Sequence, residues 1–230
     1  MIYSGTPSTS TRMHFTYGVG SAPSVDQYAV DVSTYRGVNG GVGNDWGCGR
    51  LLPNASTGLM PGIAQQAKCG NVPGCGWYNI GPVPTDPSGN VIRITGYGTA
   101  AVDSRSQKTH FDSLTNVYAT SLRYVPDTTG GNSGSPVLHE NTGLVIGVHT
   151  HGGCSSTGGG NSGTRADRVE FAEHREFLLR VCTQDSDCND GDAANGKFLC
   201  YIFRVTIISI IESTHQPSLS KLLYINTIRH

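Results

Sequence analysis

The chain has 230 residues, a formal net charge of −1 and only 14% charged residues. That length holds one ordinary domain or two small ones, and the near-neutral balance supplies no basic surface for a phosphate backbone, which argues against nucleic acid as a partner. Glycine is abundant at 31 residues, and clusters of Gly, Ser, Thr and Asn recur at short intervals, the pattern of many short strands joined by turns.

The opening "MIYSGTPSTSTRMHF" has neither the basic start nor the apolar run of an export signal. Within 1–50, the alternating runs "MHFTY" and "QYAVDV" read as strands, and the region ends at "GNDWGCGRL". Residues 51–90 read as loop, broken by Pro53, Pro61, Pro73, Pro82, Pro84 and Pro87. Three further strands are expected: "NVIRITGYGT" (90–99), which runs into a Gly-bounded turn, "VYATSLRYV" (117–125) and "GLVIGVHTH" (143–151). At "DRVEFAEHREFLLRV" (167–181) the period changes to that of a helix, with Val169, Phe171, Ala172, Leu178 and Leu179 on its apolar face. Asp167 and Glu170 fit a variant of a capping box there.

Beyond Gly196 there is no glycine, and "YIFRVTIISII" is apolar but too short to span a bilayer. The tail 201–230 is expected to lie outside the fold, and no membrane partner is expected. The seven cysteines, Cys48, Cys69, Cys75, Cys154, Cys182, Cys188 and Cys200, are too dispersed for a zinc finger. Their use points to disulfides and a secreted, oxidising setting, with one thiol left over or its partner outside this chain. "CTQDSDCNDGDAANGKFLC" (182–200) resembles the short cysteine repeats appended to secreted proteins, with Ala194 where such repeats carry a cysteine. Its aspartates, Asp185, Asp187, Asp190 and Asp192, read as a solvated acidic loop in preference to a calcium site. Asn54 in "NAS" matches a glycosylation acceptor, a triplet common by chance.

The stretch "TTGGNSGSPVL" (128–138) surrounds one serine, Ser133, with small residues. A serine hydroxyl is a weak nucleophile until a base takes its proton. The tetrahedral intermediate of acyl transfer also needs donors aimed at its oxyanion. Small neighbours serve both needs: Gly131 leaves the approach open, so its N–H and that of Ser133 can share one target, and Gly134 permits a tight turn afterwards. The bland reading is a Gly/Ser turn between strands.

With these residues in view, "TTGGNSGSPV" followed by "GLVIGVH" resembles the active-site segment of trypsin/chymotrypsin-like serine endopeptidases, nearest their bacterial glutamyl endopeptidase branch. "NDW" (44–46) resembles the segment of the triad aspartate, which assigns Asp45 that role. "ITGYGT" (94–99) resembles the strand opening the second barrel, "HGGCSSTGGGNSGT" (151–164) the frame of the specificity pocket, and 167–181 the C-terminal helix. The resemblance spans roughly residues 15–182. It implies an all-β, double antiparallel β-barrel domain over 1–182, with an incomplete first barrel (about 1–60), a second barrel (about 75–166) and a C-terminal helix (167–181). It also implies a serine-type endopeptidase acting on protein or peptide substrates without a cofactor.

In that family a histidine precedes the aspartate, in a "TAAHC"-like segment. Here only His14 precedes Asp45, in the alternating run "RMHFTY". The expectation is therefore that the catalytic histidine, the export signal and half of the first barrel lie upstream of Met1. The specificity cues conflict. Asp127 lies where trypsin-like members carry an aspartate selective for basic residues, whereas Thr128 and His149 lie where glutamyl endopeptidases hold a substrate carboxylate. The context leans toward acidic substrates. "HTHGGC" could offer His149, His151 and Cys154 to a metal, but pocket residues beside a structural cysteine are preferred, and no metal is expected. The rival readings are a catalytically dead relative that binds peptides in the same cleft and a secreted adhesive module whose serine loop is only a turn.

Overall fold

The structure, a computed structural model, describes residues 12–14, 24–68, 70, 77–99, 107–155, 158–180, 209–211 and 222–224. In chain order the elements are β1 (Arg12–His14), a 3-10 turn (Ser24–Asp26), β2 (Gln27–Asn39), β3 (Asp45–Leu51), α1 (Pro61–Lys68), β4 (Val91–Gly96), β5 (Lys108–Val117) and β6 (Ser121–Tyr124). There follow β7 (Pro136–His139), β8 (Leu144–His151), β9 (Cys154–Ser155), β10 (Gly158–Gly159), β11 (Asn161–Arg165), α2 (Val169–Arg180), β12 (Ser209–Ile211) and β13 (Leu222–Tyr224). Six strands close into an antiparallel barrel in the order β11-β6-β5-β4-β7-β8. A second sheet runs β12-β13-β1-β2-β3, and α2 follows the barrel. The all-β architecture with a C-terminal helix is thus the one the sequence led us to expect.

Alternation along the strands fills the barrel. Ile92 and Ile94 of β4 point inward with Leu114, Leu122, Tyr124, Val137 and Ile146, and all are buried. The second core lies between the barrel and the other sheet. Trp46 and Cys48 of β3 pack with Leu138, Val145, Val148, Ala166, Phe171 and Leu178. Trp46 stacks on Phe171 at 5.3 Å between ring centroids, and the Arg36 guanidinium lies 5.8 Å from the centre of the indole. Every residue of β3 except Arg50 is buried.

Helix α2 fastens this core. Its buried face is Phe171, His174 and Leu178, residues spaced three and four apart on one side of a helix. His174 Nε2 reaches the carbonyls of Thr34 at 3.0 Å and Cys48 at 3.3 Å. Arg50 Nη2 donates to Leu178 O at 2.8 Å, pairing a carbonyl of the last turn that no helix amide uses. The expected apolar face needs correction at Val169, which is 64% exposed because it sits at the first position, over solvent. The expected cap also differs. Asp167 forms a two-point ion pair with Arg165, at 2.7 and 2.5 Å, and the first helical bond runs from Ala172 N to Arg168 O.

Two other expectations change. The stretch 117–125 is not one strand: Tyr118 to Thr120 turn the chain between β5 and β6, closed by Tyr118 N to Ser121 O at 2.9 Å. Inside the proline-rich loop, Pro61 begins α1, where its fixed φ and missing N–H fit the first helical turn. In the tail, β12 pairs with β13, and β13 runs parallel to β1 in the register Arg12 with Leu222 and His14 with Tyr224.

The two cysteines among the described residues, Cys48 and Cys154, are both free thiols. Burial pushes the Cys48 thiol up to about 12. No disulfide is therefore present among the described residues, contrary to the expectation for these two. Cys69, Cys75, Cys182, Cys188 and Cys200 lie outside them, as does the acidic segment 183–200.

Candidate active site

The loop between β6 and β7 carries Ser133, and its neighbours fix it from both sides. Thr99 donates to Gly130 O twice, from its N–H at 2.7 Å and its hydroxyl at 2.8 Å. Asn132 N reaches Thr129 O at 3.1 Å, and Ser135 N reaches Asn132 O at 3.0 Å. The C-terminal half is stitched to β8 by Gly134 N to His149 O at 2.6 Å and His149 N to Ser135 O at 2.8 Å.

Gly131 and Gly134 stand at φ +95° and +90°, a conformation that L side chains rarely adopt. Two left-handed residues flanking the serine turn the loop sharply around it. Among the described residues, no backbone hydrogen bond uses the N–H of Gly131 or of Ser133. Ser133 is half-buried, and its hydroxyl donates to Thr150 O at 3.2 Å.

Asp45 opens β3 and is buried. Thr164 holds its backbone: the Thr164 hydroxyl donates to Asp45 O at 2.6 Å and accepts from Asp45 N at 3.3 Å. One carboxylate oxygen, Oδ1, is buried without a hydrogen-bond partner. Burial raises the Asp45 pKa, and positive charge on His151 opposes that rise. Tyr35 feels the same carboxylate: burial, then the Asp45 charge, push its phenol up to about 12. An orphaned buried acceptor is uncommon, so this oxygen marks a place where a donor would be accommodated.

The expected specificity residues separate. Asp127 is exposed, and its N–H donates to His110 Nδ1 at 2.8 Å. Thr128 is half-buried, and its hydroxyl accepts from Asn161 Nδ2 at 2.9 Å. His149 is 2% exposed, with Nδ1 2.7 Å from the Tyr124 hydroxyl. Burial lowers its pKa to about 3, so the ring is neutral in the free protein and not the imidazolium that an acidic pocket would ideally present. Burial also keeps Tyr124 well above the ordinary phenol range, and it stays a neutral partner.

Asn161 went unnoticed in the sequence. Its buried amide donates to Pro126 O at 2.6 Å and to Thr128, and accepts from Gly153 N at 2.7 Å and Cys154 N at 3.2 Å. It therefore ties the segment before the serine loop to the Gly-rich stretch after β8. The only signal for it was an asparagine amid glycines in "GGGNSG".

His14 lies at the wrong end of the second sheet to meet Asp45. It pairs with Gln27 at the start of β2, whereas Asp45 pairs with Asn39 at its end. The "HTHGGC" set does not converge either. His149 faces Tyr124, His151 Nδ1 lies 2.8 Å from the Thr150 hydroxyl, and Cys154 Sγ donates to Val125 O at 3.2 Å. Among the described residues no group of three His, Cys, Asp or Glu side chains is placed to hold a metal ion.

No protein-family model matches the chain. No curated protein matches it. Among solved structures it is similar to a Glu endopeptidase in complex with MPD, with 24% sequence identity and a TM-score of 0.47. The match covers 66% of this chain and 63% of that one, so the chain spans less than two thirds of that protein's length.

Proposed function

We propose that the chain is a serine endopeptidase that hydrolyses peptide bonds through an acyl-enzyme at Ser133. The observation that supports this reading is the loop itself: the serine stands between two glycines at positive φ, with the N–H groups of Gly131 and Ser133 left uncommitted. Ser133 Oγ attacks the scissile carbonyl carbon and gives up its proton to a base. The carbonyl oxygen becomes an anion that the two N–H groups hold. The C–N bond then breaks as the leaving amine takes the proton, and water releases the acyl group by the same steps in reverse order. Asp45 supplies buried negative charge opposite the positive charge that forms on the base.

The substrate reading is a preference for an acidic side chain next to the cleaved bond. Neutral His149 can accept from the Tyr124 hydroxyl at Nδ1 and donate from Nε2 to a carboxylate. Exposed Asp127 is a poor selector for a basic side chain, because solvent screens its charge. The test is a fluorophosphonate probe on the full chain. A single adduct at Ser133, lost in Ser133→Ala, supports the reading, and glutamyl esters should then turn over faster than lysyl esters. A folded protein that takes no label overturns it.

A second reading, a non-catalytic peptide binder, has one observation in its favour. The Ser133 hydroxyl donates to the Thr150 carbonyl, not to a nitrogen base. Peptide binding without labelling would select that reading.

A further inference from the structure

We propose that two copies of this chain pair edge to edge along β5, through residues 108–112, to form a symmetric dimer. Strand β5 outruns its neighbour. It has 10 residues where β6 has 4, and β6 pairs only with Leu114, Asn116 and Val117. The first half of β5 therefore has β4 on one side and, among the described residues, no strand on the other.

The phase of the β4–β5 ladder decides which groups face that open side. Leu114 N donates to Asn90 O at 2.9 Å. Hydrogen-bonded positions alternate along an antiparallel pair, so Lys108, His110 and Asp112 exchange bonds with Gly96, Ile94 and Ile92. Thr109, Phe111 and Ser113 point the other way. Ser113 O is engaged there, accepting from Val125 N at 3.1 Å. One step further, the same ladder would bring Asp127 N–H to Phe111. That N–H goes instead to His110 Nδ1 at 2.8 Å, and the ladder stops. Among the described residues, no backbone hydrogen bond engages the outward N–H and C=O of Thr109 and Phe111. Both residues are exposed, Phe111 to 63%. An open strand edge carrying a bare aromatic is a template for a second extended backbone.

The edge is complementary to itself. A two-fold axis that sets His110 opposite the partner's His110 pairs Thr109 with the partner's Phe111, and Phe111 with the partner's Thr109. Each of these pairs exchanges both of its N–H···O bonds. Phe111 then lies diagonal to the partner's Phe111, within reach of an aromatic ring. On the other face, Lys108 stands opposite the partner's Asp112, and Asp112 opposite the partner's Lys108. Lys108 is exposed and Asp112 half-buried. Opposite charges thus meet at both ends of the contact, at non-hydrogen-bonded positions where side chains approach closest. Moving the axis to Phe111 would require Ser113, whose carbonyl is already engaged, and would set Lys108 against Leu114. Any extended peptide could satisfy the backbone groups; the charge pairs and the aromatic pair select a second copy.

The experiment is sedimentation velocity on the full chain over about 1 to 300 µM, the range that so short a contact requires. The weight-average mass should rise from 24.3 kDa toward twice that value. Lys108→Asp sets carboxylates face to face at both symmetric positions, and Asp112→Lys does the same with ammonium groups. Each alone should weaken association about tenfold or more, and the two together should restore it. Phe111→Pro removes an N–H that points away from β4, so the barrel ladder keeps its bonds; it should abolish the dimer while the thermal melt stays close to the parent's. A parent that remains monomeric at the highest concentration overturns the proposal. So do single charge variants that associate as the parent does, or a folded double variant that fails to recover. The pairing stands or falls independently of the role of Ser133.

Discussion

The closed barrel and the open sheet hold the two halves of the candidate site in different ways. Ser133 belongs to the barrel, where every strand has a neighbour on both sides and the loop is laced to β8 by reciprocal backbone bonds. Asp45 belongs to β3, an edge strand with β2 on one side. What the sheet lacks in pairing, side chains supply: Thr164 from the barrel, Trp46 against Phe171, and Arg168 Nη1 on the Gly43 carbonyl at 2.5 Å. Ser133 is positioned by a ladder and Asp45 by packing. Ladders fail cooperatively, whereas packing fails one side chain at a time.

The largest break in that contrast is Trp46→Ala. Removing a fully buried indole that stacks on the helix should cost about 3–5 kcal/mol. Hydrogen exchange should then speed up in β2, β3 and α2 while β4, β7 and β8 stay protected. Equal loosening of both regions would refute the distinction.

Acid comes next. The His149 imidazole has its ordinary value of 6.5 in the unfolded chain and about 3 in the folded one. Between those values the unfolded chain binds a proton that the folded protein refuses, so stability is full above pH 6.5 and falls as pH is lowered. Over that window the loss should be roughly 3–4 kcal/mol, read from urea midpoints, and His149→Gln should flatten the profile. Since His149 is a barrel residue, this places the acid-sensitive element in the better-paired half.

Gly134→Ala is smaller, about 2 kcal/mol, because a side chain is forced into a left-handed conformation. It should slow labelling of Ser133 more than it lowers the melting temperature, since the strain is local to the loop.

The smallest effect has the opposite sign. The Asp45 pKa is raised by burial, so ionising it works against the folded state at neutral pH. Asp45→Asn should stabilise the protein by about 1 kcal/mol and slow labelling at the same time. A stabilised variant with undiminished labelling would remove Asp45 from the site.

These residues were not equally legible in the sequence. The serine loop could be read because its chemistry is local: small residues on both sides of one hydroxyl already define a backbone able to turn sharply. Strand β8 and the barrel-forming β4 could be read from their β-branched runs. The β5–β6 turn was not, because Tyr118, Ala119 and Thr120 carry no turn residue and the reversal is fixed by pairing across the hairpin. Helix α1 was hidden by prolines that read as breakers, although one of them occupies the position where a helix accepts proline. His149 and His151 were weighed as two residues on one face of a strand; His151 Nδ1 instead lies against the hydroxyl of its neighbour Thr150, a contact no alternation pattern encodes. Asn161 joins Pro126 and Thr128, more than thirty residues earlier, to Gly153 and Cys154 nearby, so only the folded chain displays it.

Helix α2 meets a strand laid down more than a hundred residues earlier, as the His174 contacts with Thr34 and Cys48 show. During synthesis, the carboxylate strand must wait for the end of the domain to leave the ribosome before its outer face is covered. Such long-range closure makes folding slow. It also leaves any cleft between the two sheets unassembled until α2 has emerged.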